Sequence, residues 1–230
     1  MWAEAGLVIG AYLYGSVPFV GAVARLRGVN LREHTSGSIS ATNLAHIVGL
    51  QGGIIGGIGD FTKGLFPVLA GYYVLDFKIE VLCLAGLAGV VGQIWPIFLR
   101  FFGGRGGTAS GSIAFAFMVT GIIPWKAFVI VIPIATGGIW RALRSKGGPT
   151  RSVPVGMLLT FALLPLLSWL WWHSPTAVTL TFLGVVLLII IRRLSADLSR
   201  DLQQRPAAES VSSILLHRFL YDRSYIDRYH

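Results

Sequence analysis

Apolar residues in this chain gather into long runs separated by short polar stretches, without the alternation of a half-buried strand. A helix needs about 17 to 25 apolar residues to cross a bilayer, and seven runs approach that length: 2–24, 52–75, 81–99, 108–123, 125–140, 153–172 and 175–191. The fourth and fifth are short and meet at Pro124-Trp125-Lys126, so they are either two spans or one long kinked helix. The pattern predicts an all-α integral membrane protein of about seven transmembrane helices, forming one domain over residues 1–194. Residues 195–230 turn polar and form a cytoplasmic tail. Within it Ile214, Leu215, Phe219, Leu220 and Tyr225 can make the apolar side of a short amphipathic helix lying on the membrane surface, a disordered end being the alternative.

Composition agrees with the pattern: 54% of the residues are hydrophobic, 13% are charged and mean hydropathy is +0.70, outside the range of soluble domains. A net charge of +9 would suggest nucleic acid in a soluble protein, but here the basic residues sit at the edges of apolar runs. Membrane lipids are therefore the expected surface partner, and nucleic acid is not. Of the 19 Lys and Arg, only Lys78 and Lys126 fall on the side that holds the N-terminus. The positive-inside rule then puts the N-terminus outside, the C-terminus inside and the basic loops in the cytoplasm, as for a multi-pass protein of the cell inner (plasma) membrane. The start, Met1-Trp-Ala-Glu, lacks the basic region of a cleaved signal. Cys83 is alone, which excludes an intrachain disulfide. Gly52, Gly53, Gly56, Gly57 and Gly59 carry the small-xxx-small spacing that lets helices approach closely, with phosphate cradling as the rival use.

Three polar features stand out against this background. Residues 32–43 read R-E-H-T-S-G-S-I-S-A-T-N, a run of hydroxyls around Gly37 ahead of a short helix. Converging backbone N–H groups and a helix start make such a run an anion site, or alternatively a polar loop in which Ser40 or Thr42 simply caps the helix. Asp60 and Lys63, three apart and so on one helix face, are either a neutralised structural pair or a phosphate ligand with its orienting carboxylate. The run F-L-R-F-F-G-G-R-G-G-T, 98–108, sets two glycine pairs around Arg105, which suits bidentate phosphate binding or a tight turn carrying an inside-positive arginine. Charge counting assigns all three to one membrane face. The five His, at 34, 46, 173, 217 and 230, show no metal-ligand pairing, so neither a metal nor a cofactor is expected. No G-x-S-x-G nucleophile motif is present.

In order and at this spacing, G-S-V-P-F (15–19), the 32–43 run, D-F-T-K-G (60–64) and P-I-F-L-R-F-F-G-G-R-G-G (96–107) resemble the bacterial membrane glycerol-3-phosphate acyltransferases that take their acyl group from acyl phosphate. The resemblance covers roughly residues 14–108, the later spans agreeing in number and hydropathy. It implies a seven-span enzyme with a cytosolic site and two substrates, acyl phosphate and glycerol 3-phosphate, with lysophosphatidic acid and inorganic phosphate as products. Carried onto this chain, Ser36, Asn43 and Arg105 are the candidate catalytic residues, Arg105 standing where the family's glycine loop carries a lysine. Ser16, Arg32, Gly37, Thr42, His46, Asp60, Lys63, Gly103, Gly104 and Gly106 are the candidate substrate-binding residues.

The chain departs from the family pattern at several of these places. Ser38 and Ser40 replace an Asn and a Gly, His46 replaces an Arg, and Gln93 stands where a His is usual. After the last span the family's His, Asn and Glu have only Asp197 and Arg200 in loose correspondence, and the serines ahead of the sixth span reduce to Ser152. A catalytically silent relative that binds a phosphorylated lipid or precursor is the rival reading. A small transporter is the third.

Overall fold

The structure, a computed structural model, describes residues 1–31, 39–137, 152–196, 198–203 and 210–222. Among the described residues every regular element is helical. The first apolar run is not one helix: α1 (Trp2–Gly15) ends at Ser16, and α2 (Phe19–Leu26) starts after Pro18. Proline disfavours helical geometry in the residue before it, which breaks the run there. Next come α3 (Ala41–Val48) and α4 (Leu50–Tyr73), joined by Gly49 at φ +89°, a left-handed turn that suits glycine. Then α5 (Ile79–Ile94) leads through a 3₁₀ turn, Ile97–Leu99, to α6 (Gly107–Val119). A second 3₁₀ stretch, Trp125–Val131, continues as helix over 132–137, so the fourth and fifth apolar runs are separate elements. The chain closes with α7 (Ser152–Leu170), α8 (Thr176–Ser195), α9 (Leu198–Gln203) and α10 (Val211–Tyr221).

Among the described residues four helical segments are long and apolar enough to cross a membrane: Trp2–Leu26, Ile79–Leu99, Val153–Leu170 and Thr176–Ser195. Gly107–Val119 and Trp125–Gly137 are apolar but shorter. At 24 residues α4 has the length but is not among the four, because glycine, Asp60 and Lys63 dilute its apolar content. Its exterior is nonetheless apolar: Ile54, Ile55, Ile58 and Phe66 are exposed while Asp60 and Lys63 are buried. Polar inside and apolar outside is the arrangement hydrocarbon selects.

The hub is α5, 56% of whose span is buried against 28–33% for the other three. It packs on α1, α4, α6 and α8. Glycine makes this possible: a Cβ on Gly15 would strike the carbonyl of Gly89, one on Gly89 the carbonyl of Lys63, and one on Gly92 the carbonyl of Tyr12. Backbones of α1, α5 and α4 thus touch with no side chain between them. The glycine stripe of α4 serves the same end, Gly53 and Gly56 lying under Ala45 and Leu44 of α3, and Gly59 under Phe19 of α2.

Candidate active site

The break between α1 and α2 places Ser16, fully buried, where the C-terminal ends of α1 and α5 meet. Its Oγ donates to the Tyr12 carbonyl (2.9 Å) and accepts from the Ile97 N–H (3.4 Å), while Tyr12 Oη donates to the Trp95 carbonyl (3.0 Å). One turn into the bundle, α4 presents Asp60 and Lys63, whose ion pair closes at 2.8 Å with both side chains less than a tenth exposed. The ammonium also lies over the Phe19 ring at 5.6 Å. Gln93 of α5 completes the group: its Oε1 accepts from the Ala109 N–H at the start of α6 (3.3 Å), which leaves its amide nitrogen to hydrogen-bond Asp60. This is the geometry of a neutralised pair, tied by one amide to the amino end of a helix.

The glycine loop lies over this group. Gly104 N–H donates to the Gln93 carbonyl (3.1 Å), and a Cβ on Gly103 would run into the Gln93 and Ile94 carbonyls, so only glycine lets the loop sit this low on α5. Arg192, at the end of α8, grips the loop from the other side: Nε donates to the Gly104 carbonyl (3.1 Å) and Nη2 to the Gly103 carbonyl (2.7 Å). A Cβ on Gly104 would stand 3.1 Å from the Ile39 carbonyl, so the chain leaving the serine-rich run and the glycine loop are neighbours. Ser16, Asp60, Lys63, Gln93, Gly103 and Gly104 together line a cavity of about 10 Å³, room for a single water. Beside it opens a groove of about 640 Å³ that shares the wall of Pro18, Ile39 and Leu99. Val29, Leu31 and Phe98 give the groove apolar lining, and Arg25 and Arg100 give it charge.

Five of the candidates, Ser16, Asp60, Lys63, Gly103 and Gly104, therefore meet in one hollow. Gly106, at φ +79°, turns the chain into α6 and is itself buried. Asn43 is buried in the first turn of α3, its N–H donating to the Ser40 hydroxyl (3.2 Å), so Ser40 is the cap. Thr42 and His46 lie one turn apart on the exposed side of α3 and line neither hollow. Arg105 turns to the tail, Nη1 donating to both the carbonyl and the carboxylate of Asp222. Arg32, Ser36 and Gly37, and the loosely corresponding Asp197, lie outside the described residues.

Sequence reasoning passed over Arg192 and Asp222, and treated Gln93 only as a departure from pattern. A basic residue closing an apolar run is what membrane topology requires anyway, so Arg192 carried no separate signal.

A helical membrane protein whose bundle encloses a polar hollow, walled by glycine backbone and flanked by an amphipathic groove, is the class this geometry defines. Residues 5–204 match the family described as glycerol-3-phosphate acyltransferase, and the chain belongs to that family. The glycerol-3-phosphate acyltransferase of Aquifex aeolicus is 40% identical over 170 residues, covering 67% of this chain and 88% of that one. Glycerol-3-phosphate acyltransferase 4 of Dehalococcoides mccartyi is 27% identical over 230 residues, covering 96% and 88%. Among solved structures, the integral membrane glycerol 3-phosphate acyltransferase PlsY (YgiH) superposes in its glycerol 3-phosphate form with a TM-score of 0.66 at 26% identity, covering 93% of this chain and 98% of that one. Its lysophosphatidic acid form gives 0.67 at 27%, covering 93% and 99%.

Proposed function

We propose that the chain moves a fatty acyl group from acyl phosphate to the 1-hydroxyl of glycerol 3-phosphate, giving lysophosphatidic acid for phospholipid synthesis at the cytoplasmic face of the inner membrane. In this reading seven spans leave the N-terminus outside and the tail in the cytoplasm. The observation that carries it is the meeting of Ser16, Asp60, Lys63 and the glycine loop in one hollow, with a groove of mixed polarity sharing its wall. An acyl phosphate is an amphiphile, and a groove with apolar lining and two arginines suits its chain and head together. That a solved relative is known in glycerol 3-phosphate and lysophosphatidic acid forms supports the same acceptor and product here.

The acceptor hydroxyl oxygen attacks the acyl carbonyl carbon and forms the ester bond. The bond from that carbon to the phosphate oxygen breaks, and inorganic phosphate leaves with the hydroxyl proton. The donor supplies its own base, so the protein's task is to hold two anions close and stabilise a tetrahedral oxyanion. Arg105 and the amides opening α6 are suited to that work; Ser36 and Asn43 are assigned to the same step, and Arg32, Gly37, Thr42, His46 and Gly106 to substrate binding.

Purified protein in lipid, given palmitoyl phosphate and labelled glycerol 3-phosphate, should yield labelled lysophosphatidic acid and one equivalent of phosphate. Palmitoyl coenzyme A and palmitoyl-acyl carrier protein in parallel identify the donor. Well-folded protein that binds glycerol 3-phosphate yet gives no product with any donor would replace the enzyme by the silent relative.

A further inference from the structure

The family match ends at residue 204, yet the chain runs on into α10, which packs on α7 and α8. Three contacts fasten it. Ile214 is fully buried, Arg218 is paired with the buried Asp201, and Arg193 of α8 donates to the Phe219 carbonyl (2.8 Å) while its other terminal nitrogen reaches the Pro154 carbonyl of α7 (2.8 Å). The helix ends at Asp222 in the left-handed conformation (φ 53°, ψ 39°), one that Asp tolerates better than most residues. That turn points both the backbone carbonyl and the carboxylate at one nitrogen, Nη1 of Arg105. Arg193 Nε stands 3.9 Å from the same carboxylate, so one anion lies between two guanidinium groups.

Arg105 offers five N–H donors, and Asp222 takes only those of Nη1. Among the described residues its Nε and Nη2 have no protein acceptor, and they are the parallel edge that grips a carboxylate or phosphate with two bonds. Gly104 and Gly106 flank Arg105 and both are buried, so the arginine stands on the loop whose backbone closes the polar hollow. From this geometry we infer that Asp222 is a positioning residue, delivered by the C-terminal helix, that fixes one end of the Arg105 guanidinium so that its other edge is set for a substrate phosphate. The second cation, Arg193, keeps the cluster net positive when Asp222 is in place, so the site still attracts an anion. This inference rests on the acyltransferase reading for which phosphate is bound, though not for the arginine–aspartate unit itself.

The test is a double-mutant cycle on the full chain in lipid, with Arg105→Ala, Asp222→Ala and the combined variant. Asp222→Asn serves as the conservative change, and each protein is checked for its melting temperature. Glycerol 3-phosphate and inorganic phosphate binding is read by calorimetry, and acylation by KM and kcat. Asp222→Ala should weaken phosphate binding about tenfold, through KM more than kcat, and do nothing further once Arg105 is alanine. Asp222→Asn, which keeps an acceptor and the backbone carbonyl, should recover part of the loss. Equal losses with and without Arg105, or a lower melting temperature with unchanged binding, would reduce Asp222 to a tail fastener and overturn the inference. Tighter phosphate binding in Asp222→Ala would overturn it too, marking the carboxylate as a competitor. Protein that binds phosphate in this Asp222-dependent way but forms no ester would remove the acyltransferase reading and leave the positioning role standing. Protein that binds no phosphate removes both.

Discussion

Asp60 and Lys63 allow the two roles open to them to be separated quantitatively. At 2.8 Å and an effective dielectric constant near 20, their attraction is about 6 kcal/mol, while withdrawing each ion from water costs several kcal/mol. The pair as a whole is therefore close to neutral for stability, but removing one partner strands a buried charge at a cost of about 3 to 5 kcal/mol. Asp60→Asn should lower the melting temperature by about 10 °C, taking about 3 °C per kcal/mol for a chain of this size. Asp60→Asn combined with Lys63→Met should restore most of that. The assay is thermal unfolding in one detergent for wild type, both single variants and the double, with acylation measured on each. A double variant that regains both stability and turnover identifies a structural pair. One that regains stability alone, with kcat/KM still depressed about a hundredfold or more, identifies Lys63 as a phosphate ligand. Asp60→Asn with an unchanged melting temperature, or a double variant as unstable as the single, would refute the energetic argument.

Gly89→Ala drives a methyl into the Lys63 carbonyl and should cost about 1 to 3 kcal/mol of stability by unfolding, whereas Gly6→Ala, with nothing within 4 Å, should be silent. Arg192→Gln removes two charge-assisted bonds to the Gly103 and Gly104 carbonyls, so amide exchange in the glycine loop should quicken about tenfold, with turnover falling alongside. Ser40→Ala deletes the cap of α3 and should lower stability by about 1 kcal/mol, with Ser40→Asn close to wild type.

The polar hollow was legible to the degree that its members are anomalous where they stand. A carboxylate and an ammonium inside an apolar run declare themselves because hydrocarbon penalises them, and paired glycines beside an arginine do so because no apolar span needs them. The helix classes followed for the same reason. Gln93 is a different case: an uncharged amide at the end of an apolar run has many uses, and only the arrival of α6 and α4 on either side shows that it bridges them. Nothing local marks Asp222 either, because its partner lies 117 residues back and the two meet only once α10 has docked. The break at Ser16–Pro18 was written in the sequence as Pro18, but apolar residues on both sides hid it within one span.

The glycine stripe that lets α2 and α3 lie against α4 has a consequence for biogenesis. A segment so rich in glycine, with two charges at its middle, partitions weakly from the translocon into lipid by itself. In the seven-span reading proposed above, its retention in the bilayer then depends on a partner being present, and α5, whose Gln93 bonds Asp60 and whose Gly89 abuts Lys63, is the next hydrophobic segment to emerge from the ribosome. The residues that build the polar hollow thereby also set an order of assembly, in which α4 is secured only as α5 arrives.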